Sequence, residues 1–198
     1  MRLFVAINPP DAIRTALHDA AAPLREAGMP VRWTAPASLH LTLKFLGETP
    51  QDRVEAIEAV LREAAAKTSP FDLPIGGIGG FPTMRRPRVI WIGAEATPSL
   101  RSLKQDVEWA LASLGFEPEV RAFQPHVTIG RVTQGAQPGA LRDLADLAAG
   151  IRVRSVFRVA SVDLMRSRLT PRGARYDRIV AAPLGVPTGG SGERMRET

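Results

Sequence analysis

The chain has 198 residues, 44 % hydrophobic and 23 % charged, which suits one large domain with a packed core and excludes a disordered polymer. It contains no cysteine, so disulfides and thiolate metal sites are excluded. The formal charge of +6 is carried by arginine, since only Lys44, Lys67 and Lys104 among the 26 basic residues are lysine. Arginine pairs well with phosphate, which permits a nucleic-acid partner. An arginine-biased genome would give the same excess, so charge alone selects no function.

Arg2–Ile7 reads as a strand that is apolar on both faces. Its apolar run is too short for an export signal, and no stretch reaches the roughly 18 apolar residues of a membrane helix. A soluble cytoplasmic protein, without membrane attachment, is expected. Asn8-Pro9 predicts a helix N-cap followed by proline at the first helical position, and the helix should run to about Ala27 unless Pro23 kinks it or ends it early. Val31–Trp33 and Leu39–Leu46 read as strands, the second stopped by Gly47. Thr49-Pro50 repeats the cap-proline signal and predicts a helix to about Lys67. Phe71–Ile75 reads as a strand entering a glycine turn over Gly76–Gly80. That turn lacks the Lys-Ser/Thr of a phosphate-binding loop. Val89–Ile92 is a strand, Thr97-Pro98 opens a third helix, Phe123–Val132 is strand-like and Gly139–Ala148 helical. Ile151–Arg166 and Arg175–Ala182 read as strands. A domain over 1–185 is expected, with a disordered Gly/Ser/Arg-rich tail over 186–198. The uneven alternation indicates an α+β architecture.

Chemistry is concentrated in two matching segments, Leu39-His40-Leu41-Thr42-Leu43 and Pro125-His126-Val127-Thr128-Ile129. Strand side chains alternate between faces, so His40 shares a face with Thr42 and His126 shares one with Thr128, while the apolar neighbours anchor each strand. Two imidazoles titrating near neutrality can act as general acid and general base, and threonine hydroxyls can donate to phosphate oxygens. One His-x-Thr on a strand would be read as structural. Two copies in a chain with three histidines point to a site. No carboxylate lies on either histidine face and no His-x-x-x-His helix exists, so neither a metal nor another cofactor is expected. His18, grouped by helical spacing with Arg14 and Arg25, is read as a solvated, non-catalytic residue.

The two segments, extended to Leu39–Gly47 and Pro125–Arg131, resemble the paired signatures of the two-histidine phosphoesterase superfamily, and within it the RNA 2',3'-cyclic phosphodiesterases, also called 2'-5' RNA ligases or LigT-like proteins. Arg2–Ile7, Trp33, Phe81-Pro82, Arg88–Trp91 and Ser167–Tyr176 are similar to other parts of that family. The resemblance implies a bilobal fold of two pseudo-symmetric antiparallel sheets flanking a cleft, with helices outside. It also implies hydrolysis of a 2',3'-cyclic phosphate at an RNA end to a 2'-phosphate. His40 would protonate the departing 3' oxygen and His126 would activate water, an assignment the near symmetry leaves exchangeable. Thr42 and Thr128 would hold the phosphate. Arg131 matches the family's arginine after the second signature, which the resemblance implies is a phosphate ligand, although strict alternation places it on the face opposite His126 unless a bulge intervenes near Gly130. By the same parity Lys44 shares the face of His40. Trp33 and Phe45 are candidates for stacking on a base or for the core. A reversible 2'-5' RNA ligase, a small cyclic-nucleotide phosphodiesterase and a non-catalytic RNA-binding module remain alternatives. A monomer is expected, since a two-lobed chain supplies both halves of the site.

Overall fold

The computed structural model describes residues 1–137, 139–170 and 173–185, and the tail expected over 186–198 lies outside them. Nine strands form among the described residues: β1 (Arg2–Ile7), β2 (Val31–Trp33), β3 (Leu41–Glu48), β4 (Phe71–Phe81), β5 (Val89–Ala94), β6 (His126–Val132), β7 (Arg154–Val159), β8 (Ser161–Thr170) and β9 (Gly173–Pro183). The helices are α1 (Asp11–Ala20), α2 (Ala22–Glu26), α3 (Val54–Ala66), α4 (Pro98–Ala112) and α5 (Leu144–Gly150). No helix is long and apolar enough to cross a membrane.

All strand pairs are antiparallel, in the order β7-β4-β5-β6-β3-β1-β8-β9, with β2 added beside β6. The two halves meet at one pair only, Leu41↔Val127. Counted outward from that junction, one half runs β3, β1, β8, β9 and the other β6, β5, β4, β7, so the halves repeat each other about the junction. They are two curled sheets continuous through a single residue pair. One face of both halves packs on the helices: Leu41, Leu43, Val127 and Ile129 share a core with Leu17, Leu24, Ile57, Leu61, Leu103 and Leu111, each under 5 % exposed.

Several local expectations are corrected. Asn8 does not cap α1. The two following prolines keep the chain extended, the helix starts after Pro10, and Asn8 Nδ2 instead donates to Asp163 at 2.6 Å. Asp163 is 1 % exposed, so this bond satisfies a buried carboxylate. Thr49 is taken by the sheet edge, its N–H bonding the Met1 carbonyl, and a short 3₁₀ turn over Gln51–Arg53 precedes α3. At Thr97 the expected cap is present, its hydroxyl accepting from the Leu100 N–H at 3.2 Å. Pro23 stands in the first turn of α2, where the helix is broken as expected.

The glycine run Gly76–Gly80 is not a turn. It lies inside β4, which stays paired with β5 up to Phe81 with one irregularity at Gly77, where φ is +69°. The glycines are needed for space: a Cβ on Gly79 would stand 2.2 Å from the Trp91 ring, which lies across this part of the sheet. The expected helix over Gly139–Ala148 begins only at Leu144.

Candidate active site

The Leu41↔Val127 pair fixes how the signature segments face each other. In antiparallel register, His40 falls opposite Thr128 and Thr42 opposite His126, so the four polar residues form a square on the sheet face turned away from the helices. All four are half-buried.

Each imidazole is oriented in the same way. His40 Nδ1 lies 2.8 Å from the Ser38 carbonyl and His126 Nδ1 lies 2.7 Å from the Gln124 carbonyl, in both cases two residues upstream. A carbonyl can only accept, so each Nδ1 carries the proton and each Nε2 is left to act on a ligand. Rings wedge both imidazoles. Phe4 and Tyr176 stand 4.9 and 4.8 Å from His40, and Phe81 and Trp91 stand 4.9 and 6.1 Å from His126 (centroid distances). Phe4 comes from β1, beside β3, and Trp91 from β5, beside β6; Phe81 lies on β4, the next strand out from β5, and Tyr176 on β9, two strands out from β1.

Burial pushes the His40 pKa down to about 4, against the hydrogen bond to Ser38, which favours the charged form; the charges of Arg14, Arg131 and His126 lower it further. His126 is also lowered, first by burial and then by Arg131, with the Gln124 carbonyl opposing. Both histidines are therefore neutral at pH 7 in the free chain. Thr42 and Thr128 supply hydroxyls beside them.

β-Bulges set the direction of the side chains beyond each signature. On β6, Thr128 pairs with Trp91 and Gly130 with Ile90, leaving Ile129 as the extra residue. On β3, Thr42 pairs with Ala6 and Lys44 with Val5, leaving Leu43 as the extra residue. Both bulges lie three residues after the histidine, and each reverses the alternation beyond it. Arg131 therefore emerges on the face of His126, exposed, and its charge reaches both imidazoles. Strict alternation had assigned it to the opposite face. Lys44 is corrected the other way: it turns under the sheet, 5 % exposed, and donates to Glu108 and to the Glu117 carbonyl. Phe45 takes the site face instead, 67 % exposed, with its ring 6.1 Å from Phe4. Arg131 and Phe45 occupy equivalent places in the two halves. The square of histidines and threonines is symmetric, but its flanks are cationic on one side and aromatic on the other.

Trp33 joins the core face, packed against Gly130, where a Cβ would stand 2.9 Å from its ring. His18 is half-buried in α1 rather than solvated, lining a small cavity with Trp33, Leu39 and Ile129 on the helix side of the sheet. Among the described residues, no three of His, Cys, Asp or Glu converge as metal ligands. Sequence reasoning did not assign roles to Phe4, Phe81, Trp91 and Tyr176. The signal was present, an aromatic at the third position of both Arg2–Ile7 and Val89–Ala94, but it has meaning only once β1 and β5 are known to flank the histidine strands.

The sequence model of the family described as LigT like Phosphoesterase matches this chain twice, over residues 7–91 and 92–176. The chain belongs to the LigT-like phosphoesterase family. The boundary between the two matches falls inside β5, and each match contains one histidine strand, β3 or β6. A protein of Methanothermobacter thermautotrophicus named RNA 2',3'-cyclic phosphodiesterase is 34 % identical over 176 residues, covering 89 % of this chain and 95 % of its own length. A protein of the same name from Archaeoglobus fulgidus is 34 % identical over 178 residues, covering 89 % and 96 %. The crystal structure of TT0787 of Thermus thermophilus superposes with a TM-score of 0.79 at 28 % identity, over 94 % of this chain and all of that one. Escherichia coli LigT, crystallised with 3'-AMP, has the same fold at a TM-score of 0.69 and 24 % identity, covering 92 % of this chain and 97 % of its own.

Proposed function

We propose that this member of the family hydrolyses the 2',3'-cyclic phosphate at an RNA end to a 2'-phosphate, by acid–base catalysis from His40 and His126 without a metal or other cofactor. The observation that carries this reading is the antiparallel square of two histidines and two threonines, with each Nδ1 tied to a carbonyl and neither Nε2 hydrogen-bonded among the described residues. The relatives' shared name, RNA 2',3'-cyclic phosphodiesterase, supports the choice of substrate.

In this reaction the phosphorus sits between the two imidazoles. His126 Nε2 takes a proton from water as its oxygen bonds to phosphorus, and the bond from phosphorus to the 3' oxygen breaks. His40 Nε2 delivers a proton to that departing oxygen. Thr42 and Thr128 hydrogen-bond the non-bridging oxygens, and Arg131 offsets the charge that gathers on them. Burial keeps His40 neutral in the free chain. The phosphodiester anion reverses this locally, since an adjacent negative charge favours the imidazolium. The exposed ring of Phe45 stacks on the terminal base, opposite the arginine flank.

The test is incubation with EDTA and an oligonucleotide ending in a 2',3'-cyclic phosphate, with identification of the product. A 2'-phosphate, lost by at least about 10²-fold in both His40→Ala and His126→Ala, is expected. No turnover, turnover abolished by EDTA, or a 3'-phosphate product would refute the reading. So would a flat pH–rate profile between about pH 5 and 8, since an acid–base pair gives a bell.

A further inference from the structure

The arginine flank of the site is wider than Arg131. On β2, Arg32 pairs directly with Arg131, and on the other side of β6 Arg131 pairs with Val89. Cross-strand partners share a face, so Arg32 and Arg131 project together on the side of the histidines. The opposite side of the same pair of strands is accounted for by Val31 and Trp33, whose side chains are what a Cβ on Gly130 would strike. Both arginines are exposed. No ion pair among the described residues includes either of them.

Like charges placed directly opposite on a sheet are destabilising unless an anion lies between or beside them. The bulge at Ile129 puts Arg131 on the face of His126 and Thr128, next to the proposed phosphate position. Arg32 is one strand further out. It lies on β2, which among the described residues pairs only with β6, so the row of positive charge leads outward from the site across β2.

We infer that Arg32 binds a second phosphate, the 5'-phosphate of the nucleotide whose 2',3'-cyclic phosphate occupies the histidine site. This rests on the proposed function and sharpens it. The preferred substrate is the end of an RNA chain, in which every terminal nucleotide carries such a phosphate, and not a free cyclic nucleoside phosphate.

A two-by-two comparison tests the contact: wild type and Arg32→Gln, each acting on adenosine 2',3'-cyclic phosphate with and without a 5'-phosphate. In the wild type the 5'-phosphate should raise kcat/KM about tenfold, mainly through KM. In Arg32→Gln that advantage should fall to within about twofold. Against log salt concentration, the slope of log kcat/KM for the 5'-phosphorylated substrate should become shallower by about 0.7 in Arg32→Gln, the value for one phosphate contact on a single strand. An equal advantage in both proteins, or none in the wild type, would overturn the inference. Fluorescence anisotropy with a 2'-phosphate-ended oligonucleotide reads the same contact without turnover. Wild type that cleaves neither substrate would end the proposed function. About tenfold weaker binding of the oligonucleotide by Arg32→Gln would still support the phosphate contact, and equal binding would overturn it.

Discussion

Acidification should expose the cost of holding His40 where it is. The imidazole is wedged between Phe4 and Tyr176, with its pKa lowered from 6.5 to about 4, first by burial. The unfolded chain has no such environment and takes up the proton near 6.5. Between these values the unfolded state binds more protons at this position than the folded state, so stability rises with pH across the window and is lost as pH falls through it. The stabilisation is complete above 6.5. Each unit is worth about 1.4 kcal/mol, which makes the loss from pH 7 to pH 4 at most about 3 kcal/mol from His40. His126 adds to it with the same sign. Urea denaturation at pH 7, 5.5 and 4.5 measures the effect, with His40→Gln as the control that removes the titrating group and so loses less on acidification. An NMR titration of the His40 Cε1 proton gives the midpoint directly, expected near 4 in the free protein and higher once a phosphate ligand is bound. A midpoint near 6.5 in the free folded protein, or equal acid sensitivity in wild type and His40→Gln, would refute the reasoning.

Glu108→Gln should destabilise the fold by about 3 kcal/mol in urea, because it leaves the ammonium groups of Lys44 and Lys104, 5 % and 8 % exposed, without their shared carboxylate. The same change should reduce turnover, since Lys44 and Glu108 also tie down the loop at Glu117 and Glu119 that leads to His126. Gly79→Ala should cost about 1–3 kcal/mol and change the near-ultraviolet circular dichroism, because the new methyl displaces the Trp91 ring beside His126; an unchanged Tm and spectrum would count against that packing. Phe45→Ala should leave stability within about 0.5 kcal/mol, since the ring is largely exposed, yet raise KM for an RNA end at least about fivefold through lost stacking.

The pairing of the two histidine segments was legible because each is local. His40-Leu41-Thr42 and His126-Val127-Thr128 reveal their polar and apolar faces through alternation alone, and their repetition within one chain marks them as a pair before any contact is known. The α+β class and most strands were equally readable from short apolar runs and their breakers. Caps were less so. Thr97 is one, while Asn8 and Thr49 carry the same cap-proline signal without capping, α1 starting only after Pro10 and α3 only after a 3₁₀ turn, and both residues bond distant parts of the chain instead.

Tertiary structure decided everything that depends on counting past an irregularity. A bulge has no composition of its own, and the extra residues Leu43 and Ile129 look like ordinary strand residues until β1 and β5 are laid beside them. Those two residues reverse the alternation, sending Lys44 into a buried ion pair and bringing Phe45 and Arg131 out beside the histidines. The glycines of β4 likewise suggested a turn until the Trp91 ring was seen to need their missing side chains. Which residues could do the chemistry was written in their order along two strands. Which neighbours join them was set by long-range pairing, because register across strands is fixed by the whole sheet and not by any one segment.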